Sequence, residues 1–180
     1  MRRTFQRYWP VLVIAVGASV LIAVALVAEW RSLGESYPRT NYSRIEEDLY
    51  LGGILEAPPP GTRAVLNVCE TQDPYRAEVH SWSPIPDAAP APEIDWLRKQ
   101  VEFIDEQRRA GRPVYVHCRA GVSRSAMVVA AYLMWRDGCN REEALAAIRA
   151  RRAIIGPIPA FLVLLKEWEE EVRKLEKGKK

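Results

Sequence analysis

The chain has 180 residues, 48% of them hydrophobic and 27% charged, and its formal net charge is +3. This length allows one folded domain beside a short targeting segment, and the mild positive charge suits anionic substrates but is too weak to indicate nucleic-acid binding. Three widely spaced cysteines, with no CxxC pair or histidine cluster, argue against a disulfide framework and against a structural zinc site.

The N-terminal stretch predicts a membrane segment. Residues 11–28 read VLVIAVGASVLIAVALVA, with Ser19 as the only polar side chain. These 18 residues would form a helix of roughly 27 Å, just long enough for a bilayer core. Trp9 and Trp30 flank the stretch, but arginines lie on both sides of it, so the charge bias leaves the orientation open. A cleaved signal peptide and a buried core helix are the alternatives.

After a polar linker that ends near residue 44, strand patterns alternate with helix patterns. Apolar runs predict strands at 48–53, 64–68, 79–82 and 114–117. Helices are predicted from about Pro92 to Gly111, over 125–136, after a capping box formed by Asn140 and Glu143, and along 161–175. This alternation predicts an α/β fold with a central, mostly parallel sheet flanked by helices.

The segment HCRAGVSRS, residues 117–125, lies between the last predicted strand and an apolar helix. In such a tight loop the backbone N–H groups can cradle an anion, and the helix N-terminus adds partial positive charge. A thiol at the base of the cradle ionises easily, so Cys118 is predicted to be a nucleophilic thiolate. Gly121 permits the tight turn, Arg124 offers a planar fork to two phosphoryl oxygens, and Ser125 can donate to the sulfur.

The phosphate itself is predicted to bind the loop. This set comprises Arg119, Ala120, Gly121, Val122, Ser123 and Arg124. The alternative interpretation is a buried structural cysteine beside surface arginines. Because the backbone cradle and Arg124 neutralise the charge that a divalent ion would neutralise elsewhere, we expect neither a metal nor a cofactor.

The segment HCRAGVSRS resembles the signature loop of the cysteine-based protein tyrosine phosphatase superfamily, in particular its dual-specificity branch. The likeness extends over about residues 44–172 and includes LYLGG at 49–53, VLNV at 65–68 and AAYLM at 130–134. One departure is visible. The family often carries Pro-Asn after a double arginine, where this chain has Pro157-Ile158-Pro159, and a hydrogen bond to the loop is therefore in doubt.

The resemblance implies a phosphocysteine intermediate and a general acid on a mobile loop about thirty residues before the cysteine. Asp87 lies 31 residues before Cys118, in a Pro-rich loop, and matches this description. Asp73 and Asp95 are the alternatives. The resemblance also implies that His117 supports the cysteine. A further hypothesis makes Cys69, at the end of a strand expected beside the loop, a redox partner of Cys118.

The sequence thus predicts a membrane-tethered phosphatase for phosphotyrosine and phosphoserine or phosphothreonine in proteins, since the short domain has no insertion to build a deep phosphotyrosine pocket. The alternatives are a lipid phosphatase, acting on phosphatidylglycerol phosphate or a phosphoinositide, and an inactive phosphate-binding module. The need for a reduced thiol favours a cytoplasmic catalytic domain. The predicted organisation is a basic flank (1–10), a transmembrane helix (11–28), a linker (29–44), a dual-specificity phosphatase-like catalytic domain (45–176) and a charged tail (177–180).

Overall fold

The computed structural model describes residues 40–177, which form a five-stranded sheet with helices packed against it. The strands are β1 (Tyr42–Glu46), β2 (Leu49–Gly52), β3 (Ala64–Asn67), β4 (Val79–Trp82) and β5 (Val114–His117). Their order in the sheet is β1-β2-β5-β3-β4, and only the β1–β2 pair is antiparallel. The predicted α/β architecture with a mostly parallel sheet is confirmed.

Four helices follow or alternate with the strands: α1 (Ile94–Arg109), α2 (Arg124–Asp137), α3 (Arg141–Arg151) and α4 (Pro159–Lys177). The predicted capping box opens α3, where Asn140 Oδ1 accepts from Glu143 N and Glu143 Oε2 accepts from Asn140 N, both at 2.9 Å. Gly138, at φ 67°, ends α2 in the left-handed conformation that glycine tolerates best.

Helix α2 is the centre of the hydrophobic core. Every residue from Arg124 to Met134 is buried, and α1, α3 and α4 all pack against this helix. Trp168 of α4 is fully buried and donates its indole N–H to Ala131 O at 2.9 Å. Because a close-packed interior has low compressibility, the N-terminus of α2 is held in a fixed position relative to the sheet.

The parallel strands bring three chain segments to one edge of the sheet. Gly52 of β2 and Asn67 of β3 are both in register with His117 of β5, so the residues after these strands emerge side by side. Cys118 directly follows β5, and Cys69 and Glu70 follow β3 closely. Loops at the carboxyl ends of parallel strands are the usual place for binding sites in α/β proteins.

Strand β1 was not predicted, and it begins at Tyr42, inside the stretch expected to be linker. The Tyr42 ring packs edge-on against Tyr50 and Tyr115, at centroid distances of 6.1 and 6.4 Å. Such cross-strand aromatic contacts stabilise a strand whose sequence is otherwise polar. The domain boundary predicted at residue 45 therefore falls within β1.

The predicted membrane localisation is corrected. None of the helices within residues 40–177 is both long and apolar enough to cross a bilayer. The predicted span at 11–28, the basic flank and most of the linker lie outside the described residues, as does the end of the tail from residue 178. The single-pass membrane localisation predicted from the sequence is therefore corrected, since no helix in the described part of the chain supports it.

Candidate active site

The loop after Cys118 turns its carbonyl oxygens outward. Four successive carbonyl groups accept hydrogen bonds from neighbouring parts of the domain, which leaves the N–H groups of the loop free to face inward. The bonds run from Ile54 N to Arg119 O (3.1 Å), from Arg152 Nη2 to Ala120 O (3.1 Å), from Arg152 Nε to Gly121 O (2.7 Å) and from Gly156 N to Val122 O (2.9 Å). This outer ring of donors leaves the inward N–H groups available for the anion cradle that the sequence predicts.

Gly121 is the residue that allows the loop to close. Its φ is +69°, and a Cβ at this position would collide with the backbone of Gly52. Any other residue would therefore strain the backbone and push the loop away from β2. The close approach ties the loop to the end of the sheet.

Cys118 lies at the base of this loop and is only 1% exposed. Its Sγ is 3.4 Å from the Ser125 hydroxyl, which lies equally far from Gly52 O. Burial disfavours a thiolate here, but hydrogen bonds from the Ser125 hydroxyl and from the N–H groups of Ser125, Gly121 and Val122 outweigh it and lower the pKa of the Cys118 thiol. The site therefore favours the nucleophilic form of the cysteine.

Arg124 begins α2 and is buried, with 3% of its surface exposed. Its Nη1 donates to the carboxylate of Glu70 and to Ile85 O, the latter at 2.9 Å. Its Nε is buried and has no hydrogen-bond partner among the described residues, although Asp87 Oδ2 lies 3.7 Å away. One edge of the guanidinium is thus fixed by the protein, while Nε can donate to a phosphoryl oxygen.

Of the three candidate acids, only Asp87 lies at Arg124. Its side chain is 38% exposed, in the loop between β4 and α1. Asp73 is only 1% exposed and hydrogen-bonded to Asn67 and His80. Asp95 lies in the first turn of α1, paired with Arg98 at 2.7 Å. The structure therefore favours Asp87 among the alternatives left open by the sequence.

The segment that departs from the family pattern does contact the loop. Ile158 N donates to the Ser123 hydroxyl at 3.3 Å, close to the bond that Gly156 makes with Val122. Together with Arg152, these backbone donors hold the loop from outside. The segment at Pro157-Ile158-Pro159 therefore does make a hydrogen bond to the loop, and its donor is the backbone N–H of Ile158.

His117 lies inside the domain rather than in the pocket. Its ring is fully buried, stacked on Tyr115 with 5.0 Å between centroids. Its Nδ1 lies 3.3 Å from Cys118 O, and its Nε2 lies 3.1 Å from the Asp73 carboxylate. The structure thus brings His117 to the backbone of Cys118, as the resemblance implied, and adds Asp73 as a partner.

Two further predicted site residues differ in exposure: Cys69 is buried, whereas Arg119 is exposed. Cys69 is 1% exposed, its thiol lies 3.4 Å from Thr71 O, and burial raises the pKa of that thiol. It is a free thiol, as Cys118 is. Arg119 is exposed and contributes to lowering the pKa of Glu70, although Arg124 contributes most.

Two residues that contact the loop or its arginine, Glu70 and Arg152, were missed from the sequence. Asp73 was named only as an alternative acid, and its contact with His117 was missed. Glu70 follows β3 at the same sheet edge as Cys118, which is the signal that could have identified it. Arg152 carries no such signal, because its role depends on where α3 ends in space.

Comparison with known proteins agrees with this geometry. The family model "Dual specificity phosphatase, catalytic domain" matches residues 61–171. The human dual specificity protein phosphatase 1 is 35% identical over 133 residues, which are 69% of this chain and 36% of that protein. The chain thus spans about a third of the length of the curated relatives it matches.

Solved structures match about three quarters of this chain. The structure of PTPMT1 in complex with PI(5)P is 30% identical, with a TM-score of 0.66, and covers 76% of this chain and 99% of that chain. DUSP15 is 27% identical, with a TM-score of 0.67, over 77% of this chain and 97% of its own. The chain therefore belongs to the dual specificity phosphatase family of cysteine-dependent phosphatases.

Proposed function

We propose that this chain hydrolyses phosphate monoesters of tyrosine, serine and threonine in proteins through a phosphocysteine intermediate. The observation that carries the proposal is the position of the buried Cys118 thiol, 3.4 Å from the Ser125 hydroxyl at the base of the loop. Hydrogen bonds from that hydroxyl and from the N–H groups of Ser125, Gly121 and Val122 lower the pKa of the thiol. Family membership supports protein phosphoesters as the substrate class.

In the first step the Cys118 thiolate attacks phosphorus and the bond to the leaving oxygen breaks. The N–H groups of the loop from Arg119 to Arg124 bind the non-bridging oxygens, and Arg124 Nε donates to one of them. The substrate phosphate takes the place beside Arg124 that Asp87 partly fills, so Asp87 is displaced toward the leaving oxygen and protonates it. The products are the free hydroxyl side chain and S-phosphocysteine.

In the second step water attacks the phosphocysteine. The Asp87 carboxylate, now deprotonated, removes a proton from the water as the S–P bond breaks, and inorganic phosphate forms. The Ser125 hydroxyl, 3.4 Å from Sγ, donates to the departing sulfur and so lowers the barrier to its release as a thiolate. Asp87 thus regains in the second step the proton that it gave to the leaving oxygen in the first.

The surroundings of the loop favour a single phosphate ester over a polyanionic lipid headgroup. The Glu70 side chain is 60% exposed and that of Asp87 is 38% exposed, and both carboxylates lie at Arg124. Within the loop Val122 and Ser123 are neutral, so Arg119 is its one basic residue besides Arg124. A second phosphate group on the ligand would meet two carboxylates there with little positive charge to offset them.

A lipid phosphate is the second candidate substrate. The observation that favours it is the 30% identity to PTPMT1, whose structure was solved with PI(5)P. An inactive phosphate-binding module is the third candidate, but such modules usually lose the nucleophile, the arginine or the acid, and this chain has Cys118, Arg124 and Asp87.

Hydrolysis of para-nitrophenyl phosphate in excess chelator tests whether the chain is an enzyme. Cys118→Ser should reduce turnover on the order of 10⁴-fold or more, as loss of a nucleophile does in other covalent hydrolases. Cys139→Ser is the matched control, because this thiol lies beyond the far end of α2, and it should leave turnover unchanged. Full activity of Cys118→Ser, or activity abolished by the chelator, would contradict the mechanism.

A parallel panel of substrates decides between the two substrate classes. Phosphotyrosine and phosphothreonine peptides are compared with phosphatidylglycerol phosphate and PI(5)P in mixed micelles, with released phosphate as the readout. A higher kcat/KM for the peptides is expected. A preference of tenfold or more for either lipid would overturn the assignment to protein substrates while leaving the chemistry intact.

A further inference from the structure

A polar cluster lies behind the phosphate-binding loop, and neither step of the hydrolysis uses it. Its centre is Asp73, whose side chain is 1% exposed. The carboxylate accepts from Asn67 Nδ2 at 2.9 Å, lies 3.0 Å from His80 Nε2, and lies 3.1 Å from His117 Nε2. A buried carboxylate of this kind persists only if its hydrogen bonds and charge are compensated.

The ring of His117 faces an acceptor on each side. Its Nε2 meets the Asp73 carboxylate, and its Nδ1 meets Cys118 O at 3.3 Å. Carboxylate and carbonyl oxygens only accept, so a ring that donates to both of them must carry a proton on each nitrogen. Because the ring is fully buried, such a doubly protonated ring needs a buried counter-charge, and the Asp73 carboxylate lies beside it.

We propose that Asp73 is a positioning residue of the reaction, which holds His117 as a buried imidazolium against the backbone of Cys118 and thereby favours the thiolate. The inference rests on the proposed function, since thiolate attack is the step that it supports. Asp73 acts through His117 and touches neither the substrate nor the sulfur. This role differs from that of a general acid, for which Asp73 was an alternative to Asp87.

Among the titratable groups around His117, Asp73 is the one that can supply the negative charge. Burial would raise the pKa of Asp73, but the contacts with His117, Asn67 and His80 lower it below its ordinary value, so the carboxylate is charged at neutral pH. Burial and the Asp73 charge raise the pKa of Tyr75, and burial raises those of Tyr115 and Cys69, which are therefore neutral. The titratable groups that face the pair are Cys69, Cys118, Tyr75, Tyr115 and His80.

Alkylation of Cys118 by iodoacetamide in the whole chain tests this role without using turnover. Its rate is followed by mass spectrometry across pH, which separates Cys118 from the other two cysteines. Asp73→Asn keeps the size and one acceptor but removes the charge, and the midpoint of the rate profile should rise by about one pH unit. His80→Gln, the matched control, loses a contact to Asp73 without changing its charge and should leave the midpoint where it is.

The effect must disappear when His117 is absent. In a His117→Asn background, Asp73→Asn should cause no further shift of the midpoint, because the two residues act as one unit. An unshifted midpoint in Asp73→Asn alone, or an equal shift in the His117→Asn background, would overturn the proposal. If instead the unaltered chain alkylates Cys118 with the midpoint of a free thiol, the proposed function itself fails.

Histidine side-chain NMR gives a second measurement that needs no Asp73 variant, in case that variant does not fold. The chain has two histidines, and His80→Gln assigns them. The His117 ring should carry protons on both nitrogens at neutral pH. A neutral, singly protonated ring would contradict the inference.

Discussion

At the scale of single residues, the site is organised by competition for Arg124. Glu70 binds Nη1, and Asp87 lies 3.7 Å from Nε, so two carboxylates share one buried guanidinium. The Arg124 Nε is buried and has no hydrogen-bond partner among the described residues. Glu70 therefore orients the arginine, whereas Asp87 is free to leave it when phosphate arrives.

Replacing Asp87 by Asn separates binding from proton transfer. The amide cannot protonate the leaving oxygen or take a proton from water, so kcat should fall on the order of 10²–10³-fold while KM changes little. The loss should be smaller for para-nitrophenyl phosphate than for a phosphoserine peptide, since nitrophenolate leaves without protonation. Steady-state kinetics with both substrates measure this, and unchanged kcat with the peptide would remove Asp87 from the mechanism.

Oxidation tests the predicted partnership of Cys69 with Cys118. Both thiols are buried and free, and they follow neighbouring strands, so mild peroxide should convert them to a disulfide that a thiol reductant reverses. The Cys69→Ser variant should instead lose activity irreversibly, because its Cys118 has no resolving thiol. Peptide mapping that finds only sulfinic acid at Cys118 in the unaltered chain would reject the pairing.

The sequence predicted those site residues whose roles depend on nearby positions. Cys118, Gly121, Arg124 and Ser125 lie within one loop and the helix start, and Asp87 was named because the family resemblance implies an acid about thirty residues before the cysteine. Glu70 and Asp73 were missed as contacts because they meet their partners across 54 and 44 residues of sequence. No local pattern encodes such a meeting, since the sheet order decides it.

At the scale of secondary structure, the loop is held by the end of α3. Arg152 caps this helix, is 4% exposed, and donates to three acceptors: Gly121 O, Ala120 O and Asn41 Oδ1. It thereby joins the loop to the segment before β1. The guanidinium is large and planar enough to reach all three at once, which a lysine ammonium is not.

Arg152→Lys should therefore damage both stability and turnover. Loss of at least one buried hydrogen bond to a carbonyl should lower the free energy of unfolding by about 2–3 kcal/mol. The loosened cradle should also reduce kcat/KM at least tenfold. Arg151→Lys is the matched control, because the neighbouring arginine is exposed and should show neither effect in urea unfolding and phosphatase assays. Equal effects in both variants would show that Arg152 does not hold the loop.

At the scale of the whole molecule, the sequence predicted the architecture of the domain better than the position of its N-terminal boundary. The alternation of apolar strands and amphipathic helices was enough for the α/β fold, and the uniformly apolar α2 was correctly identified as the buried centre. Strand β1 escaped prediction because its stability comes from Tyr42 packing on Tyr50 and Tyr115, which are partners from other strands. The membrane assignment rested on the hydropathy and flanking residues of a segment outside the described part of the chain, and it was corrected.

The outward hydrogen bonds of the phosphate-binding loop have a consequence for inhibitors. Since the four carbonyl groups are already anchored to Ile54, Arg152 and Gly156, the receptacle for a tetrahedral anion exists before any ligand arrives. The conformational entropy of ordering the loop is therefore lost when the domain folds and not when a ligand binds. Inhibitors that differ only in the group bound by the phosphate-binding loop will therefore gain little selectivity for this protein over other phosphatases. Discrimination must come from groups that reach Glu70, Arg119 and Asp87 at its mouth.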